Sequence, residues 1–217
     1  MSQSQAETDQ SLRSSLMQQM AEGREQLDHG HFETSFQIFS NALSRCETIS
    51  VLAPLKYQVL GNLGWVNRLA GRYQTAAEHL QEALALADAA GDSNTMTRAQ
   101  IESELGTVLR LMDRHDEAEA VFGRQYSIAT VRQQEDVAWR RVHCRAIGNL
   151  ATANYQRALQ LDPHDPHIKQ KTRYHIDHAI SQLEQRINLA GQIMEEDYYE
   201  FRGHGAKSRT YQALSWW

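Results

Sequence analysis

Apolar and polar positions follow one another along this chain with the period of amphipathic helices, most regularly between Leu63 and Ala89. Leu63, Val66, Leu69, Tyr73, Leu80 and Leu84 recur at steps of three, four or seven residues, and the stretch predicts two helices pressed together. Small residues stand seven apart in each half, Gly64 with Gly71 and Ala76 with Ala83, so two backbones can approach closely. The predicted unit is a helical hairpin.

The same skeleton recurs at a nearly fixed interval. Gly106, Ala118 and Phe122 each lie 42 residues after Gly64, Ala76 and Leu80. In the other direction Gly23, Gly30, Phe32, Phe39 and Ala42 each precede Gly64, Gly71, Tyr73, Leu80 and Ala83 by 41. Ile147-Gly148-Asn149 adds a fourth copy, 42 beyond Gly106. The predicted helices start at Asp9, as an N-cap, to about residue 29, and continue over residues 32 to 46, 54 to 70, 73 to 90, 95 to 112 and 116 to 130. Gly91-Asp92-Ser93 reads as a stop followed by a cap, and Asp113-Arg114-His115 as a hinge. Residues 137 to 161 read as one long helix, ended by Asp162-Pro163-His164-Asp165-Pro166. Two registers are open there. Either Gly148 sits in a turn of a shorter repeat, or it lies in the first helix of a pair whose second helix spans 166 to 193, with Ala179, Leu183, Ile187 and Ala190 as its seam. The second is favoured.

This succession of Leu-Gly, a turn residue seven on, Tyr or Phe, and then Ala, a bulky residue and Ala resembles the tetratricopeptide repeat. Its interval is similar to that of the lengthened subtype in kinesin light chains, in Leu-Gly-Asn adaptors of G-protein signalling and in repeat regions of NTPase sensors. The resemblance covers roughly residues 12 to 193 and implies an all-α fold, a right-handed α-α superhelix of about four hairpins plus a terminal helix. Three segments follow: a polar, frayed tail over 1–8, a repeat domain over 9–193, and a linker with an unpaired C-terminal helix over 194–217. In such repeats the first helix of each pair lines a concave groove. Carried onto this sequence, that puts Arg24 and Asp28, then Asn62, Trp65 and Arg68, then Ser103, Thr107 and Arg110, then Arg145 and Asn149 in the groove.

Arg68, Arg110 and Arg145 then form a column suited to bidentate capture of carboxylates or phosphates, with Trp65 as an aromatic anchor for a bound helix or peptide. The competing reading has the arginines paired with Asp28 and Glu104, gluing repeats together, and Trp65 in ordinary packing. The Leu-Gly-Asn signature is kept best at Ile147-Gly148-Asn149; Trp65 and Thr107 replace its Asn in the preceding copies. The Lys and Asn set of chaperone-binding repeats is not reproduced.

Composition narrows the function classes. A net charge of −5 at pH 7 speaks against a nucleic-acid tract or a polybasic membrane segment. Apolar stretches fall short of the ~20 residues of a membrane span, and the opening MSQSQAETDQ does not read as a signal peptide. Cys46 and Cys144 form no C-x-x-C and read as buried small hydrophobes in a reducing, cytoplasmic compartment.

His164, His167, His175 and His178 cluster, but neither H-E-x-x-H nor an accompanying carboxylate ligand is present, so no metal is expected. Gly203-His204-Gly205-Ala206-Lys207-Ser208 lacks the glycine that a phosphate loop needs before its lysine. Tyr211, Leu214, Trp216 and Trp217 give the last stretch an apolar surface that wants a cover, so self-association through a C-terminal helix, a folded-back tail and a longer parent chain all stay open.

The expected function is a non-enzymatic, cofactor-free scaffold or adaptor binding a protein or peptide, its acidic groups meeting the arginines. The alternatives are a sensor segment allied to an NTPase module, or a biosynthetic accessory factor or enzyme holding a small molecule in the groove.

Overall fold

The computed structural model describes the backbone of residues 3–92 and 95–204 and the side chains of residues 5–92 and 95–194. Eight α-helices and no strand are present among them: α1 (Gln3–Asp28), α2 (Phe32–Thr48), α3 (Lys56–Leu69), α4 (Tyr73–Ala89), α5 (Met96–Leu111), α6 (His115–Arg132), α7 (Val137–Leu159) and α8 (Ile168–His204). A 3-10 turn, Ser50–Leu55, leads into α3. The chain forms two compact units, residues 1–121 and 122–217, and α6 runs from the first into the second.

In the first unit α1 packs on α2 and α3 on α4, while α5 packs on α4 and α3. The periodic leucines and phenylalanines close these hairpins, with Leu16, Met20, Phe39, Leu52 and Val59 withdrawn from water. The close approach inferred from the small residues is physical. A Cβ on Gly23 would stand 2.7 Å from the Phe39 ring, and one on Gly64 would stand 2.4 Å from Leu80 Cγ. The two copies therefore use one joint, a glycine on the first helix under a bulky side chain on the second, and Ser35 Oγ ties the first joint by donating to Gly23 O at 2.8 Å.

Replacing Gly64 by alanine is expected to destabilise the chain. Leu80 is fully buried, so displacing it costs about 1–3 kcal/mol, more than the ~1 kcal/mol gained in helix propensity. In α7 of the second unit the three atoms nearest a Cβ on Gly148 all belong to the flexible Arg186 side chain, with Nη1 at 2.7 Å. Gly148→Ala should therefore be near neutral, and thermal melting of both variants checks the contrast.

The turns repeat as faithfully as the joints. Gly30 and Gly71 have φ of 78° and 74°, and at the equivalent third turn Asp113 takes φ 59°. The residue after each donates back across the helix end: His31 N to Gln26 O at 2.9 Å, Arg72 N to Asn67 O at 2.8 Å, and Arg114 N to Leu109 O at 2.9 Å. This six-to-one bond satisfies a carbonyl the helix would leave open, and it requires the left-handed residue before it.

The second unit holds the rest of α6 with α7 and α8, and α7 and α8 pack along one another. Gly148 lies inside α7, as the 42-residue register expects.

Several boundaries and faces differ from the sequence reading. Helix α1 begins at Gln3, so Asp9 lies within it, accepting from Gln5 Nε2 at 3.0 Å instead of capping it. Thr95 caps α5, accepting from Arg98 N at 3.2 Å; Ser93 lies outside the described residues. Leu69 is on the surface, not in the hairpin seam. Helix α8 continues through Glu195-Glu196-Asp197 to His204, where a linker was expected, and the expected helix over 206–217 lies outside the described residues.

The expected seam of α8 is half right. Ala179 is buried, but Leu183 and Ile187 are 44% and 69% exposed. Gln182 and Arg186 face α7 in their stead. Gln182 Oε1 accepts from Asn154 Nδ2 at 3.2 Å, and Arg186 fills the slot over Gly148. A polar side chain that finds partners across the interface needs no apolar neighbour to be held there.

Candidate binding groove

Half of α3 is buried, and among its partly exposed residues Gln58, Asn62, Trp65 and Arg68 form one strip. The corresponding strip on α5 holds Gln100, Glu104, Thr107 and Arg110, while Ser103 is buried. Steps of three and four put each set on one side of its helix. The two helices approach closely because Gly61 leaves room for Ile101, whose Cγ1 would lie 3.0 Å from an added Cβ. The two strips thus hold five of the ten expected groove residues: Asn62, Trp65, Arg68, Thr107 and Arg110. Arg145 and Asn149 belong to α7 of the second unit.

Arg68 Nε donates to Glu104 Oε2 at 2.6 Å, joining the two strips. The competing reading of Arg68 as inter-repeat glue is therefore realised with Glu104, and the guanidinium reaches an incoming carboxylate only in competition with it. Arg110 is half-buried, and its guanidinium makes no hydrogen bond or ion pair among the described residues.

Asn62 Nδ2 donates to Gln58 O at 2.9 Å and Thr107 Oγ1 to Ser103 O at 2.8 Å, so both amphipathic side chains lie along their own helices. Trp65 is half-buried and rests on the core formed by α1, α2 and α3, its outer side remaining accessible. Arg24 is half-buried on α1 and Asp28 exposed. In the second unit Arg145 is exposed, and Asn149 Nδ2 donates to Gln125 Oε1 at 3.3 Å.

Sequence reasoning missed Gln58 and Gln100, which complete the strips. The step of three to four residues from Asn62 and Glu104 was the signal for them. It also missed the ties holding the strips in place: Tyr57 Oη donates to Asp92 Oδ2 at 2.7 Å, and Lys56 Nζ lies 2.9 Å from Glu82 Oε1.

The histidines do not converge. His175 Nδ1 is 3.1 Å from Asn154 Oδ1, whereas His178 Nδ1 is 2.9 Å from Tyr174 O in its own helix. Among the described residues no three His, Cys, Asp or Glu side chains come together as a metal site. Burial pushes the Cys46 and Cys144 thiols up, which keeps them protonated. No described helix is long and apolar enough to cross a membrane.

No protein-family model matches the chain, and no curated protein does. Solved structures do resemble it. The crystal structure of BtubC (BKLC) from P. vanneervenii superposes with a TM-score of 0.54 at 14% identity, over 85% of this chain and 92% of that one. The nearly identical TPR-like repeats of a kinesin light chain-type protein from Podosopora anserina superpose with a TM-score of 0.51 at 15% identity, over 89% and 99%. Its Q17M form gives 0.51 at 16% identity, over 88% and 98%. These likenesses, with the repeated joints and turns, show an all-α fold of TPR-like repeats.

Proposed function

We propose that this chain is a non-enzymatic interaction scaffold whose α3 and α5 strips receive an acidic segment of a partner protein. Arg110 carries the reading: a half-buried cation with no partner among the described residues, on the strip adjoining the Arg68–Glu104 pair. A carboxylate arriving there gains a charge-assisted hydrogen bond in a partly desolvated setting. Trp65 supplies a rigid apolar surface on the α3 strip, and a folded groove needs little reorganisation to bind an extended or helical segment. Buried free thiols at Cys46 and Cys144 suit the reducing, cytoplasmic setting expected for such a scaffold.

The variant that tests the groove is Arg110→Glu, not a double change that includes Arg68. A glutamate at position 68 would face Glu104 and confound binding with folding. With a fluorescent glutamate-rich peptide as probe, Arg110→Glu should weaken binding about tenfold or more while leaving helicity and melting unchanged. Equal affinity for the two proteins overturns the reading.

A further inference from the structure

The outer face of α8 carries an apolar stripe that no other described residue covers. Ile180, Leu183, Ile187 and Met194 are 50%, 44%, 69% and 44% exposed, and Ile176 and Ala190 are half-buried in line with them. Their spacing alternates four and three residues through eighteen positions, the heptad repeat of a helix that packs against another helix. Meanwhile α7 occupies a different side of α8, that of Ala179, Gln182 and Arg186. A contiguous apolar stripe of this length on a surface marks an interface.

We infer that this stripe is a homodimer interface, in which α8 pairs with α8 of a second copy, antiparallel, about a two-fold axis at the level of Gln185. The stripe is self-complementary in that arrangement and in that direction. Leu183 meets Ile187 of the second copy, Ile180 meets Ala190, Ile176 meets Met194, and each layer occurs twice, as an isologous contact demands. Charge agrees with the same register. The start of α8 is basic, with Lys169, Lys171 and Arg173, and its continuation carries Glu195, Glu196 and Asp197. Antiparallel pairing sets basic ends against acidic ones, with position 197 opposite Arg173, whereas parallel pairing sets like against like.

Residues 205–217 are the other occupant within this sequence, and deleting them separates the two.

Sedimentation equilibrium on the full chain tests the pairing. The expected result is a dimer at micromolar concentration whose dissociation constant rises about 100-fold or more in Ile187→Glu, since each exchange removes two apolar layers. Ile187 is exposed within one copy, so helicity should not change, and Tyr174→Glu, off the stripe, should leave the dimer intact. Arg173→Asp and Asp197→Arg should each weaken self-association, and a mixture of the two should associate again because every end pair is then opposite in sign. A monomer in all forms overturns the inference, as does a dimer indifferent to Ile187→Glu. A dimer lost on deleting 205–217 overturns it in favour of the tail, and a mixture no tighter than its components overturns the antiparallel register.

Discussion

Replacing Arg98 by methionine is expected to cost about 3–5 kcal/mol, the scale of removing one member of a buried ion pair. Arg98 opens α5 and is almost fully buried. Its guanidinium meets Asp88 of α4 and, at 3.4 Å, the carboxylate of Glu102, which has no exposure at all. Taking the guanidinium away withdraws the cation facing a carboxylate that water cannot reach, and the low surrounding dielectric makes that expensive. Asp88 is 59% exposed, so Asp88→Ala should cost under about 1 kcal/mol. Arg98→Met with Glu102→Leu should recover most of the loss, because the apolar pair no longer holds a buried charge. Urea midpoints of the four proteins check this; a single Arg98→Met change that leaves the midpoint in place removes Glu102 as the reason.

A comparable loss, about 3–5 kcal/mol, is expected for Phe39→Ala. The Phe39 ring is fully buried over Gly23, within 2.7–3.0 Å of the place a Cβ would occupy, so truncation opens a cavity with backbone for its floor. The cavity also makes room that the native joint denies. Gly23→Ala, severe by itself, should therefore become favourable on the Phe39→Ala background, where its Cβ meets no ring and the gain in helix propensity is about 1 kcal/mol. Thermal melting of the two singles and the double measures the coupling, and additive losses would mean the two residues do not share a joint.

Why the joints were readable from sequence and other features were not has a physical basis. Gly23 with Phe39 and Gly64 with Leu80 repeat because the close crossing of two helices admits only a residue without a side chain on one side, which leaves a mark at a fixed interval. The left-handed turns leave a similar mark at Gly30 and Gly71, and Asp113 shows that a short polar residue serves at the third. Helix α1 starts earlier than its apolar period because Gln, Ala and Glu sustain a helix by propensity with nothing to bury. The face of α8 was misread because apolar residues were assigned to the only visible partner, α7. Gln182 and Arg186 won that place through hydrogen-bond partners and a slot on another helix, information that periodicity does not carry. In the groove, Asn62, Trp65, Arg68, Thr107 and Arg110 were reached through the resemblance to the repeat family, Gln58 and Gln100 were not, and Glu104 was foreseen as a rival partner for Arg68. Which reading of Arg68 holds depends on a side-chain contact 36 residues away.

The joints also differ in how far apart along the chain their halves lie, and that bears on the order in which the protein assembles. Gly23 and Phe39, like Gly64 and Leu80, are sixteen residues apart, whereas Gly148 and Arg186 are separated by thirty-eight. Closing the longer loop costs ~0.8 kcal/mol more chain entropy. Contacts of short range form quickly, so during synthesis the first two hairpins can close as soon as each has cleared the ribosome. The α7–α8 pair, whose joint spans the longer loop, is expected to close after them.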